Sequence, residues 1–325
     1  MEYNLDKFNS LISIMDTFHD EAVCKDYLMH QRWPDGDYIC PKCGAHHCTH
    51  RKDGRFICKH CRMIFSVLVG TIFENTKVPL RKWFVAMYQM SEHRKGISSH
   101  QIARDCNVTQ KTGWYMLQRI RTLFSQDEEV IILDENVECD EAYIGGQSKY
   151  KHADKKVEGT QGRSLKTKSA VFGMVKRGGE TEEEQKGPKG GKVIAKHTED
   201  VQGETLGKLI RMHVKPGSRI FTDEYVGYNT LVESEYSHAV VNHGAKQFVD
   251  GENHTNTIEG FWSHLKRAIF GTYHWVSKTY LQRYVDEAAF RYNTCTQQEA
   301  NRFRTMFERS AKVIRYGDVR ITKAA

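Results

Sequence analysis

Four cysteines stand as two C-x2-C pairs, Cys40-Pro-Lys-Cys43 and Cys58-Lys-His-Cys61, with residues 44–57 between them. Each pair presents two thiolates on one tight turn. Two such pairs complete a closed tetrahedral set for one structural Zn2+, with no position left for water. His46, His47, Cys48, His50 and His60 crowd the same stretch and are alternative ligands, any one of which could replace a cysteine.

A second set of candidates is acidic. Asp140 interrupts the apolar stretch Val137 to Ile144, where burying a carboxylate without a partner is costly and a cation is the natural compensation. Asp223 follows Arg219 to Thr222, at the C-terminal end of an expected strand, where α/β sheets place their ligands. Glu259 lies near the start of an expected helix, and Lys266 follows two turns later on the same face, where it could grip a phosphate. Glu138 shares a strand face with Asp140 and is a further candidate for assisting a metal, whereas Glu141 points the other way.

These side chains need elements to position them. Leu5 to Tyr27 carries apolar residues at near-helical spacing and predicts a leading amphipathic helix; Trp33 to Phe65, broken by turns, predicts a small metal-stapled β unit. Three helical stretches follow from Leu80 to Phe124. Within them, Ile97 to Thr109 predicts a short helix, a tight turn and Thr109 as N-cap of a second helix to about Arg121. In a helix-turn-helix of that kind the second helix enters the major groove. Gln110, Lys111, Thr112 and Tyr115 would then read bases or phosphates, and Arg119 and Arg121 would neutralise phosphates.

A polar break at Ser125 to Glu129 precedes a strand-rich half. Strands are expected at Val137–Ile144, Ala170–Val175, Val193–Lys196, Arg219–Thr222 and Ala239–Val241, with helices at Leu206–Val214, from about Asn256, and at Tyr280–Tyr292. Gln147 to Lys168 and Gly178 to Gly191, rich in Gly, Lys and Glu, predict surface hairpin loops. The 325 residues allow more than one domain, and a formal charge of +7 suits a polyanionic partner. No long apolar run or secretory leader is present, and the scattered Cys24, Cys48, Cys106, Cys139 and Cys295 suit reduced thiols, so a soluble cytoplasmic protein without a membrane partner is expected.

The sequence resembles the insertion-sequence transposases with a DDE-type core, and within them the insertion-sequence family fifteen-ninety-five. Cys40-Pro-Lys-Cys43, Phe65 to Glu74, Asp140-Glu141-Ala142-Tyr143-Ile144-Gly145-Gly146, Thr222-Asp223-Glu224 and Asn256 to Arg267 carry the likeness. It implies an α/β fold: an RNase H-like core, a mixed five-stranded sheet with flanking helices, preceded by a zinc ribbon and a helical helix-turn-helix domain. It also implies that Asp140, Asp223 and Glu259 form the catalytic, Mg2+-binding triad. Some relatives use asparagine as third ligand, which makes Asn256 a weaker candidate; Ala142, where the family often has threonine, departs from the pattern.

On this reading Asp140 would bridge two Mg2+ (or Mn2+) ions, with Asp223 on one and Glu259 on the other. Water attack would free a 3′ end at the terminal inverted repeats, and that end would attack target DNA. Lys266 and Arg267 are the candidates for gripping double-stranded DNA, and Tyr273, His274 and Trp275 for stacking on an end base or for packing. The expected layout is an N-terminal helix at 1–30, the zinc ribbon at 31–70, the helix-turn-helix region at 71–128, the catalytic core at 129–300 and a C-terminal tail at 301–325. Holding two DNA ends implies a homo-oligomer. The competing readings are a DNA-binding regulator derived from an inactive transposase and a structure-specific nuclease with the same core.

Overall fold

The computed structural model describes residues 8–125, 131–145, 152, 154, 156–159, 162, 164–178, 190–230, 235–241, 254–296 and 299–310. The chain divides into two compact units, one of residues 1–124 with 297–325 and one of residues 125–296. Most of the two expected hairpin loops lies outside the described residues.

The first unit opens with two helices where the sequence reading placed one: α1 (Leu11–Thr17) and α2 (Glu21–Arg32). Ser10 and Ser13 form a reciprocal capping box at the start of α1, and Asp20 caps α2, so capping chemistry overrides a continuous apolar stripe. Three short strands follow, β1 (Cys48–His50), β2 (Phe56–Cys58) and β3 (Ile64–Phe65), paired antiparallel in that order. Trp33, Tyr38, Phe56 and Phe65 cluster beside them. Helices α3 (Leu80–Glu92), α4 (Ser99–Asp105) and α5 (Gln110–Arg121) come next.

Residues 301–325, set apart by the sequence reading as a tail, are not all peripheral. After helix α9 (Glu299–Ser310), residues 311–325 lie outside the described residues, but Phe303 and Phe307 of α9 meet the rings of Phe8, Phe18, Tyr27 and Phe84 in the core of the first unit. The helical spacing of Phe303, Met306 and Phe307, all fully buried, was the available signal.

The second unit is a five-stranded mixed sheet. Its strands are β4 (Asn136–Gly145), β5 (Lys168–Arg177), β6 (Gly190–Thr198), β7 (Arg219–Thr222) and β8 (Ser237–Val240), in the spatial order β6-β5-β4-β7-β8. β4 runs antiparallel to β5 and parallel to β7. Helices α6 (Gly203–His213), α7 (Asn256–Ala268) and α8 (Leu281–Asn293) complete it. Alternation along β4 divides its side chains between two cores: Val137 and Cys139 pack with Leu206 and Ile210 of α6, and Ala142 and Ile144 with Ile258, Trp262 and Val285 of α7 and α8. Asp140 and Glu138 therefore face α7. Glu141 faces the other layer, where it accepts a 2.5 Å hydrogen bond from the buried Tyr228 hydroxyl.

Candidate active site

In the first unit the four cysteine sulfurs all lie within 4.8 Å of one another. Cys40 Sγ is 3.6 Å from Cys61 Sγ, and Cys43 Sγ is 3.7 Å from Cys58 Sγ. A tetrahedral zinc with Zn–S bonds near 2.3 Å requires sulfurs about 3.8 Å apart, so the set fits one structural Zn2+. The Cys61 and His60 backbone N–H groups lower the Cys58 thiol, while burial and the neighbouring cysteines raise that of Cys43. Three of the alternative ligands make other contacts: Cys48 Sγ donates to Ala45 O while also lying beside Cys58, His46 Nδ1 lies 2.5 Å from Asp37 Oδ2, and the His50 ring stacks on Phe56.

In the second unit the register of the two parallel strands decides the acid geometry. Glu138 of β4 sits opposite Phe221 of β7. Beyond that pair β4 runs on to Asp140 and β7 ends one residue before Asp223, whose charge is felt at Asp140. Asp223 closes its own turn, Oδ1 accepting from Tyr225 N at 3.0 Å. Glu259 stands exposed in the first turn of α7. Burial pushes the Asp140 carboxyl up to about 6, and the negative charges of Asp223 and Glu259 push it the same way.

Asp140 thus feels the charge of both other acids. Among the described residues only the four cysteines form a group of three or more such ligands with donor atoms all within 4.8 Å. The three acids do not form such a group. Their chemistry suits hard cations with oxygen shells, such as Mg2+.

Glu138 is corrected from metal helper to structural anchor. It is 0% exposed; Oε1 is 2.7 Å from Arg177 Nε and 3.2 Å from His254 Nδ1, and Oε2 accepts from Thr257 N and Ile258 N, both at 2.9 Å. Both oxygens are committed, and the carboxylate caps the N-terminus of the helix that carries Glu259. Glu138→Ala should destabilise the second unit by about 3–5 kcal/mol, because it strands the Arg177 charge and two helix N–H groups; thermal melts of metal-free protein would check this. Loss of less than about 1 kcal/mol would contradict the anchoring role.

Asn256 is exposed in the first turn of α7. Lys266 and Arg267 are exposed in its last turn, with Arg267 Nη2 donating to Ser263 Oγ at 2.7 Å. Beyond them a π-helical turn spans Ile269–Tyr273. The Tyr273 hydroxyl donates to Glu287 Oε1 at 2.6 Å, a packing role, whereas Trp275 is 70% exposed.

In the first unit Thr109 caps α5, its Oγ1 accepting from Thr112 N at 3.2 Å. Gln110, Lys111 and Tyr115 are exposed and Thr112 is half-buried; Gln110 Nε2 donates to Ser99 Oγ. Arg119 and Arg121, expected to face phosphates, are instead buried, and Arg119 Nη1 donates to Glu74 O at 2.8 Å. The α4–α5 approach depends on Gly113, where a Cβ would lie 2.8 Å from Ser99 O and 3.3 Å from Ala103 N. Gly113→Ala should therefore cost about 1–3 kcal/mol by overpacking against backbone that cannot swing aside, despite alanine's better helix propensity. A melt of that variant at or above the parent's temperature would contradict the close approach.

The matches to known proteins place the chain in the transposase class. A family described as the ISXO2-like transposase domain matches residues 132–293, and one described as the transposase zinc-ribbon domain matches residues 19–63. The chain is 30% identical over 283 residues to the "Uncharacterized protein in transposable element ISH50" of Halobacterium salinarum, covering 83% of this chain and 90% of that protein. It is 35% identical over 102 residues to an "Uncharacterized transposase-like protein" of Haemophilus influenzae, covering 31% of this chain and 81% of that one. The chain belongs to the transposases of insertion-sequence family fifteen-ninety-five. No helix among the described residues is long and apolar enough to cross a membrane.

Proposed function

We propose that this chain is a DDE-type transposase that binds the terminal inverted repeats of its element, cleaves the DNA strand there and joins the freed end to target DNA. The observation that supports it is the parallel pairing of β4, which carries Asp140, with β7, which ends one residue before Asp223, together with the charges of Asp223 and Glu259 felt at Asp140. Asp140, Asp223 and Glu259 would hold two Mg2+ ions, which when bound activate the attacking oxygen and stabilise the departing one. On this reading the core is RNase H-like, its acids clustering where β4 and β7 run parallel.

The remaining roles belong to the chain's own residues. Lys266 and Arg267, exposed on the helix that bears Glu259, would neutralise the DNA backbone near the acids. Gln110, Lys111, Thr112 and Tyr115 at the start of α5 would read the element end, as in a helix-turn-helix, with the zinc ribbon adding contacts. Trp275 offers a ring on which a base could stack. Arg119 and Arg121 have no part in it, being buried. Two ends held together would require a homo-oligomer.

The test is an assay of purified protein, a labelled element end, a supercoiled target and Mg2+. The reading expects both end cleavage and covalent joining of the end to target. Cleavage without joining would point to a structure-specific nuclease, and binding with neither to a regulator derived from an inactive transposase.

A further inference from the structure

Two acids on one face of β4, Glu138 and Asp140, are held by partners of opposite kind. Glu138 is met by the Arg177 guanidinium and two helix N–H groups. Asp140 Oδ2 accepts a 3.0 Å hydrogen bond from the neutral indole Nε1 of Trp262, a buried ring on the same helix as Glu259. A neutral donor orients a carboxylate without cancelling its charge, whereas a guanidinium would compete with any cation for it.

The ring reaches Asp140 because of what is missing opposite it. Gly173 is the cross-strand partner of Asp140 in the β4–β5 pair. A Cβ there would lie 2.6 Å from Trp262 Cζ2 and Cη2 and 3.0 Å from Ile258 Cδ1. Gly173 is absent from the positive-φ glycines, so it is needed for space and not for backbone conformation.

We propose that Trp262 is a positioning residue for Asp140: seated in the notch left by Gly173, its N–H orients the carboxylate and leaves its charge for a metal ion. This rests on the reading of Asp140 as a metal ligand. Groups that orient ligands in this way typically contribute about 10–100-fold to metal affinity.

The test is Mn2+ binding to the full-length protein without DNA, by titration calorimetry. Trp262→Phe keeps the ring and removes the N–H, and Gly173→Ala keeps the N–H and displaces the ring. Each should weaken Mn2+ binding about 10-fold or more, and in Trp262→Phe the lost strand cleavage should return in part as Mn2+ is raised. Asp223→Ala serves as control. If it weakens Mn2+ binding while Trp262→Phe retains parental affinity and metal dependence, the positioning role is overturned and the metal site stands. If Asp223→Ala leaves binding unchanged, the metal site itself is wrong and the proposal goes with it. Should Trp262→Phe lose the parental circular-dichroism spectrum, Gly173→Ala decides: weakened binding supports the role and parental binding overturns it.

Discussion

Asp140→Asn protein should melt at a higher temperature than the parent in chelator, yet fail to cut or join DNA ends. Burial and the neighbouring charges of Asp223 and Glu259 raise the folded-state pKa of Asp140 from 3.8 to about 6. A carboxylate raised on folding destabilises the folded state when ionised; the penalty is absent below about 4 and complete above about 6. At pH 7 the neutral isostere removes it. The gain should be roughly 1–3 kcal/mol for a shift of about two units, and in the parent the same gain should emerge from this residue as pH falls from 7 towards 4. Asparagine can still accept the Trp262 N–H, so the fold need not rearrange. The catalytic loss should be on the order of 10³-fold or more, because removing one preorganised charge-stabilising group alone costs about 10²–10³. Asp223→Ala should lose activity to a similar degree. Melting curves in chelator and end-cleavage gels check the two halves separately; an Asp140→Asn protein that is less stable and still active would contradict both.

Removing zinc should unfold the ribbon. β1, β2 and β3 are three, three and two residues long, too short to hold one another, and the aromatic cluster of Trp33, Tyr38, Phe56 and Phe65 is small. Structural zinc sites of this kind contribute about 10–16 kcal/mol of apparent binding energy, which is folding energy when no ordered apo site exists. Hydrogen exchange after treatment with a strong chelator should show amides of residues 40–65 losing protection while β4 and β5 keep theirs. Binding of a labelled element end should fall with the ribbon's protection. Unchanged protection across residues 40–65 would mean that the cysteines are not a metal site.

Much of this was legible in the sequence because strongly constrained residues announce themselves. The C-x2-C pairs fix a geometry through local turns, and they converge as expected. The five strands were visible because each is a short apolar run between turn signals, and their mixed sheet follows. An acid inside an apolar run signalled that something unusual surrounds Asp140, but not what. The same signal misled at Glu138, where the compensating charge is Arg177, 39 residues away in sequence and unassignable without the β4–β5 register. The indole of Trp262 and the notch at Gly173 were illegible for the same reason, since a cross-strand pair exists only once the register is known. Arg119 and Arg121 were misplaced because a helix-end arginine reads as a solvent-facing cation, whereas tertiary packing buries both. The α9 pattern was readable, but its position after the core suggested a tail.

On the proposed function, Asp140, Asp223 and Glu259 converge to hold two hard cations. Crystals of the full-length protein soaked in Mn2+ and measured at the manganese absorption edge test it most directly. Two anomalous peaks about 4 Å apart, each within coordination distance of at least one of these carboxylates and with Asp140 touching both, are expected. Peaks coordinated by other side chains, with the three acids unliganded, would contradict it.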